Sequence, residues 1–118
     1  MTLPREKDNI PLIDAWRQME ALVDEGLVKS IGVSNWTVAL LVDMLSFARI
    51  KPVCNQIEIN IYGPNQRLID FCLANEIIPT GHSIIMNPVG FRIATNTECP
   101  LDNAVVRELA DCRNCTPA

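Results

Sequence analysis

Ser34, Asn35, Gln56, Glu58, His82 and Ser83 stand at or near the ends of three apolar runs: Ser30-Ile31-Gly32-Val33, Val53 to Ile59 and Ile77 to Gly81. Parallel α/β architectures build their sites at the carboxyl ends of strands, so chemistry is expected there. The middle run alternates, with Val53, Asn55, Ile57 and Ile59 on one face and Cys54, Gln56, Glu58 and Asn60 on the other. A buried amide or carboxyl left unsatisfied costs roughly 1–3 kcal/mol. The face carrying Gln56 and Glu58 is therefore a site wall, a mutually satisfied set, or a face open to solvent.

Sharper chemistries are weaker fits. Ser34 and His82 form a nominal nucleophile and base, but no nucleophile elbow surrounds Ser34. A free catalytic base at His82 competes with a stacking or packing role. Cys112-Arg113-Asn114-Cys115 has the CxxC spacing of zinc and redox sites. Zinc needs two more ligands, and Cys99 and His82 serve only if the chain between them folds back. No metal is assigned. Trp16 and Trp36 read as packing residues.

The elements that position these groups follow from periodicity. Asn9 caps a helix from about Pro11, with Ile13, Trp16, Met19, Leu22 and Val23 on its buried face and Gly26 at its end. Thr37 caps a second helix through Phe47, turning Leu40, Leu41, Met44 and Leu45 inward. Gly63-Pro64-Asn65 turns the chain and caps a third helix through Ala74, with Leu68, Ile69, Phe71 and Cys72. Pro79 costs the third strand one ladder bond and suits an edge. From His82 to Pro100 no clean period appears, as in a functional or mobile loop. Asp102 caps a last helix holding Val105, Val106, Leu109 and Ala110. Regular strand–helix alternation predicts a parallel sheet with right-handed crossovers, compatible with a barrel or a doubly wound sheet. Three strands alone do not close a barrel of eight. No Gly-rich phosphate fingerprint follows any strand, which leaves a Rossmann fold little support.

Size and charge bound the partners. The 118 residues are 48% hydrophobic and 20% charged, enough for one packed domain. A net charge of −4 with scattered basic residues excludes nucleic acid as a natural partner. The polar start Met1 to Asp8 carries no signal-peptide core, and the longest apolar run, Val38 to Val42, is too short to span a bilayer. Five cysteines, an odd count, read as free thiols in a reducing compartment. Without a secretory signal the sequons at Asn35 and Asn114 are chance matches. A cytoplasmic protein is expected.

Lys29-Ser30-Ile31-Gly32-Val33-Ser34-Asn35-Trp36, preceded by Ala15 to Val28, resembles a signature of the aldo-keto reductase family that ends Ser-Asn-Phe or Ser-Asn-Tyr. Ile50-Lys51-Pro52-Val53-Cys54-Asn55-Gln56-Ile57-Glu58 is similar to that family's next strand. The likeness runs from about residue 10 to the C-terminus and weakens from 84 to 100. It implies an N-terminal tail over 1–9 and, over 10–118, a partial (β/α)₈ TIM barrel of about three parallel strands with flanking helices.

Carried over by position, the resemblance makes Ser34, Asn35 and Gln56 the groups that hydrogen-bond the nicotinamide carboxamide of NADP. His82 takes the place of a ring-stacking tyrosine, as in a sugar-phosphate-reducing branch. Ser83, with Asn87, falls near the pyrophosphate. Departures exist: Asn60-Ile61-Tyr62 replaces His-Pro-Tyr, and Ser83-Ile84-Ile85-Met86 replaces Ser-Pro-Leu-Gly, which changes the loop's path. The family's catalytic Asp, Tyr, Lys and His lie upstream of the matched segment, so no catalytic residue is assigned. Losing the proton donor forfeits roughly 10²–10⁴-fold.

The resemblance implies a fragment of an NADP-dependent carbonyl reductase, inactive alone and binding cofactor weakly or not at all. A small carbonyl or sugar is the parent's substrate. The placement of the chain's ends against the family pattern resembles truncation. The alternative is a non-catalytic half-barrel that self-associates through exposed sheet edges.

Overall fold

The computed structural model describes residues 10–85 and 99–118. Asn9 and Asn87 lie outside these residues. Helix α1 (Leu12–Asp24) opens on Pro11 without a side-chain cap. Trp16 is buried, and its indole N–H donates to Ile50 O at 3.0 Å. Met19, expected on the buried face, is exposed, and Glu20 is buried instead. Its carboxylate accepts from the backbone N–H groups of Arg49 and Ile50, each at 2.8 Å, which satisfies a charge that burial alone would exclude. Gly26, at φ 72°, ends the helix as predicted. Its N–H reaches Val23 O at 2.9 Å, and that of Leu27 reaches Leu22 O at 3.0 Å.

Three strands, β1 (Val33–Ser34), β2 (Cys54–Glu58) and β3 (Ile78–His82), form a parallel sheet in the order β1-β2-β3. Between them lie α2 (Val38–Phe47) and α3 (Gln66–Ala74). The first strand is shorter and later than the expected 30–33. Its ladder continues at both ends, from Val53 N to Ile31 O at 2.9 Å and from Asn35 N to Gln56 O at 2.8 Å. In β3, Ile78 N donates to Val53 O at 2.9 Å. Alternation then turns the Pro79 nitrogen away from β2, so proline forfeits no ladder bond there.

The core lies on the helix side of the sheet. Trp16, Ile31 and Met44 form one buried cluster, and Leu41, Cys72 and Ile77 another, with Val33 and Trp36 touching both. On β2, Asn55 and Ile57 face this core, while Gln56 and Glu58 point to the opposite, exposed face. Among the described residues the strand order is sequential and one face of the sheet carries no helix, as in a sector of a barrel.

The caps depart in detail. Thr37 Oγ1 accepts from Leu40 N at 3.4 Å as predicted, but Leu40 itself is exposed. Asn65 adopts φ 50°, and its Nδ2 donates to Glu58 O at 2.7 Å instead of capping α3. Asp102 ends a single 3₁₀ turn (Pro100–Asp102), and the cap of α4 (Ala104–Cys112) is Asn103, whose Oδ1 accepts from Val105 N at 3.0 Å. Pro100 favours the tight turn and moves the helix start one residue on.

Candidate functional site

Register sets the site. Ser34 pairs with Gln56 and Gln56 with Thr80, one strand level below the pair Glu58 and His82. Alternation puts all five on the face that the helices leave open. Directly beyond β1 and β3 the backbone enters the left-handed region, at Asn35 (φ 59°) and Ser83 (φ 54°). Asparagine tolerates that conformation better than most residues; for serine it is a local strain.

The two turns bring the polar groups together. Ser34 Oγ donates to Gln56 O at 2.9 Å, and Asn35 Nδ2 donates to Ser34 Oγ at 3.2 Å. With its amide so oriented, Asn35 presents Oδ1 to His82 Nε2 at 3.0 Å, while His82 Nδ1 meets Ser83 Oγ at 3.1 Å. An amide oxygen only accepts, so Nε2–H donates to it, which leaves Nδ1 placed to accept a hydrogen bond from the Ser83 hydroxyl. Both ring nitrogens are thereby engaged at the ring's edge.

All five predicted site residues thus gather at one end of one sheet face. The Gln56 side chain is exposed rather than buried, because the described residues leave that face uncovered. Glu58 Oε1 accepts from Asn60 Nδ2 at 2.9 Å, and Asn60, expected on the same face, is buried and turned back on the loop, where Oδ1 accepts from Tyr62 N and Gly63 N at 3.0 Å. Thr80 belongs to the wall too, and stepping back two residues from His82 would have found it.

Asn55 was placed only as one residue of a strand face. It is fully buried, and its amide grips the backbone of Trp36: Nδ2 donates to Trp36 O at 2.9 Å and Oδ1 accepts from Trp36 N at 3.3 Å. Burial pushes the Cys72 thiol up from its ordinary value, and a hydrogen bond with Asn55 partly opposes this. Asparagine inside a strand was the available signal, because an amide is buried there only when something satisfies it.

The remaining candidates do not join the site. Cys112 and Cys115 are exposed free thiols at the end of α4. Among the described residues no cluster of three or more His, Cys, Asp or Glu is placed to hold a metal. A hollow of about 420 Å³ lies between the starts of α2 and α3, lined by Thr37, Val38 and Asn65 through Leu68, and contains none of the site side chains. No described helix is long and apolar enough to cross a membrane.

Comparison with known proteins agrees with the geometry. A profile of the aldo/keto reductase family matches residues 3–106. Glycerol 2-dehydrogenase (NADP(+)) of Hypocrea jecorina is 44% identical over 98 residues, which are 81% of this chain and 30% of that protein. An NAD(P)H-dependent D-xylose reductase of Pachysolen tannophilus is 39% identical over 114 residues, 93% of this chain and 36% of the relative. The aldose reductase structure of Giardia lamblia superposes with a TM-score of 0.79 at 43% identity, covering 93% of this chain and 34% of its own. That of Schistosoma japonicum gives 0.78 at 37% identity. The chain spans about a third of the length of the relatives it matches. The family profile over residues 3–106, with relatives 44% and 39% identical over most of the chain, shows that the chain belongs to the aldo/keto reductase family.

Proposed function

We propose that this chain supplies the nicotinamide-facing wall of an NADP(H)-dependent reductase of small carbonyl compounds, sugars among them. The observation that carries this is the hydrogen-bond string from Ser83 through His82, Asn35 and Ser34 to the backbone of Gln56. A carboxamide needs donors and acceptors side by side, and Ser34, Asn35 and Gln56 offer both. His82, held by its edge, keeps a ring face available for stacking on the nicotinamide. Ser83, in its left-handed turn beside His82, is the group that would meet the cofactor's pyrophosphate.

The cofactor supplies the hydride; these residues bind and orient its ring. The chain's one tyrosine, Tyr62, has its hydroxyl 3.4 Å from Asn103 Nδ2, outside the string. With no tyrosine among the site groups, residues 10–118 act as one partial domain that is inactive alone. The five free thiols favour the cytoplasm. The second proposed role, self-association, is favoured by the unpaired outer edges of β1 and β3 among the described residues. Size exclusion separates it, since an edge-paired dimer elutes at twice the monomer mass.

Titration with NADPH, followed by nicotinamide fluorescence, tests the binding role. The expected signal is weak, saturates only at high cofactor concentration, and falls further in Ser34→Ala and Gln56→Ala. Micromolar affinity, or a signal indifferent to both substitutions, contradicts it.

A further inference from the structure

We propose that Asn55 is a positioning residue, whose amide clamp on the Trp36 backbone fixes the turn that aims Asn35 at Ser34 and His82. Asn35 touches both groups through a short side chain, so a small rotation of its backbone breaks one contact or the other. Its left-handed φ of 59° is one that asparagine tolerates, and the contacts on either side select it. One anchor lies before it, the Ser34 hydroxyl on Gln56 O, and its own N–H donates to that same oxygen at 2.8 Å. The anchor after it is Asn55, which holds both the N–H and the carbonyl of Trp36.

A single amide that donates to and accepts from one peptide position fixes its orientation as well as its place. Apolar packing of Trp36 against the cluster of Leu41, Cys72 and Ile77 has no such directionality. Asn55 also lies on β2 beside Gln56, so one strand sends Gln56 to the open face and Asn55 to the turn that carries its neighbours. The clamp is on the buried face, out of reach of any ligand on the open one. Asn55 therefore acts through Asn35 and does not touch substrate or cofactor.

The clamp's consequence for cofactor binding rests on the nicotinamide role proposed above, but the positioning itself is measurable without cofactor, so the two fail separately. The experiment is nitrogen NMR of the His82 imidazole in the full chain, with Asn55→Leu, Asn55→Asp and the control Ile57→Ala. Ile57 is buried on the same face of the same strand and makes no part of the clamp. In the unsubstituted chain His82 Nε2 is expected at a protonated, pyrrole-like shift and Nδ1 at a pyridine-like shift. Asn55→Leu shifts both resonances toward the average of an imidazole exchanging between tautomers. Asn55→Asp, which keeps the acceptor for Trp36 N–H but sets an oxygen against Trp36 O in place of the donor, shifts them as well. Ile57→Ala lowers stability and leaves them in place. An unchanged imidazole in folded Asn55→Leu, or an equal change in Ile57→Ala, overturns the proposal. Should Asn55→Leu not fold, hydrogen exchange on the unsubstituted chain decides. Slow exchange of Trp36 N–H and of one Asn55 Nδ2 proton is required, and fast exchange of either refutes the clamp.

Discussion

His82 Nε2 lies 3.0 Å from Asn35 Oδ1, a contact between residues 47 apart in sequence that ties the turn after β1 to the end of β3 across the whole width of the sheet. Asn35 makes it from a left-handed backbone, and Gln56 O holds that turn from the strand between. The two residues that the sequence places beyond separate strands thus become one hydrogen-bonded unit.

The backbone at Asn35 separates strain from contact. Asn35→Gly and Asn35→Ala both delete the bonds to Ser34 and His82, but only alanine is strained at φ 59°. Urea unfolding is expected to find the alanine variant less stable than the glycine variant by about 1 kcal/mol. Equal stabilities would mean that the turn relaxes and carries no strain.

Gly32 is needed for close approach of β1 to β2. A β-carbon there would stand 2.6 Å from Cys54 Sγ and 3.0 Å from Cys54 O. Gly32→Ala is expected to cost about 1–3 kcal/mol by overpacking. Cys54→Ala removes the closer obstacle, so the double variant should recover part of the loss in thermal or urea unfolding. Additive losses would place the damage elsewhere.

Most of the fold was legible in the sequence, and the misses have physical causes. The starts of the second and third strands, the Gly26 stop and the Thr37 cap follow from local rules, and local rules hold where neighbours do not interfere. Glu20 escaped because a polar residue reads as solvent-facing until its partners are known, and Asn55, though set on one face with Val53, Ile57 and Ile59, escaped because its partner was not visible. The partners, Arg49 and Ile50 for one and Trp36 for the other, are brought by tertiary structure. Ser34, Asn35, Gln56, His82 and Ser83 were legible as a group because strand ends in a parallel sheet converge. The links within the group were not, since they depend on two left-handed turns. Asp102 lost the cap to Asn103 through a single 3₁₀ turn that periodicity does not resolve.

Acid should weaken one exposed tie in a defined direction. Lys51 Nζ donates to Glu76 Oε2 at 2.8 Å, and this hydrogen bond, then the lysine charge, holds the carboxyl below its ordinary 4.5. A folded-state value below the unfolded one stabilises at neutral pH, and that contribution disappears as pH falls below 4.5 and through the folded value. Glu76→Gln is therefore expected to be slightly less stable than the unsubstituted chain at neutral pH and equal to it in acid. A difference that persists or grows in acid contradicts the pairing.

The nicotinamide wall is tested most directly by mapping amide shifts while NADPH is added to the isotope-labelled chain. The predicted result is a set of perturbations at Ser34, Asn35, Gln56, His82 and Ser83, with helix-side residues such as Leu41 and Met44 unmoved. Perturbations centred on the hollow between α2 and α3, or none at the highest cofactor concentration attainable, would contradict it.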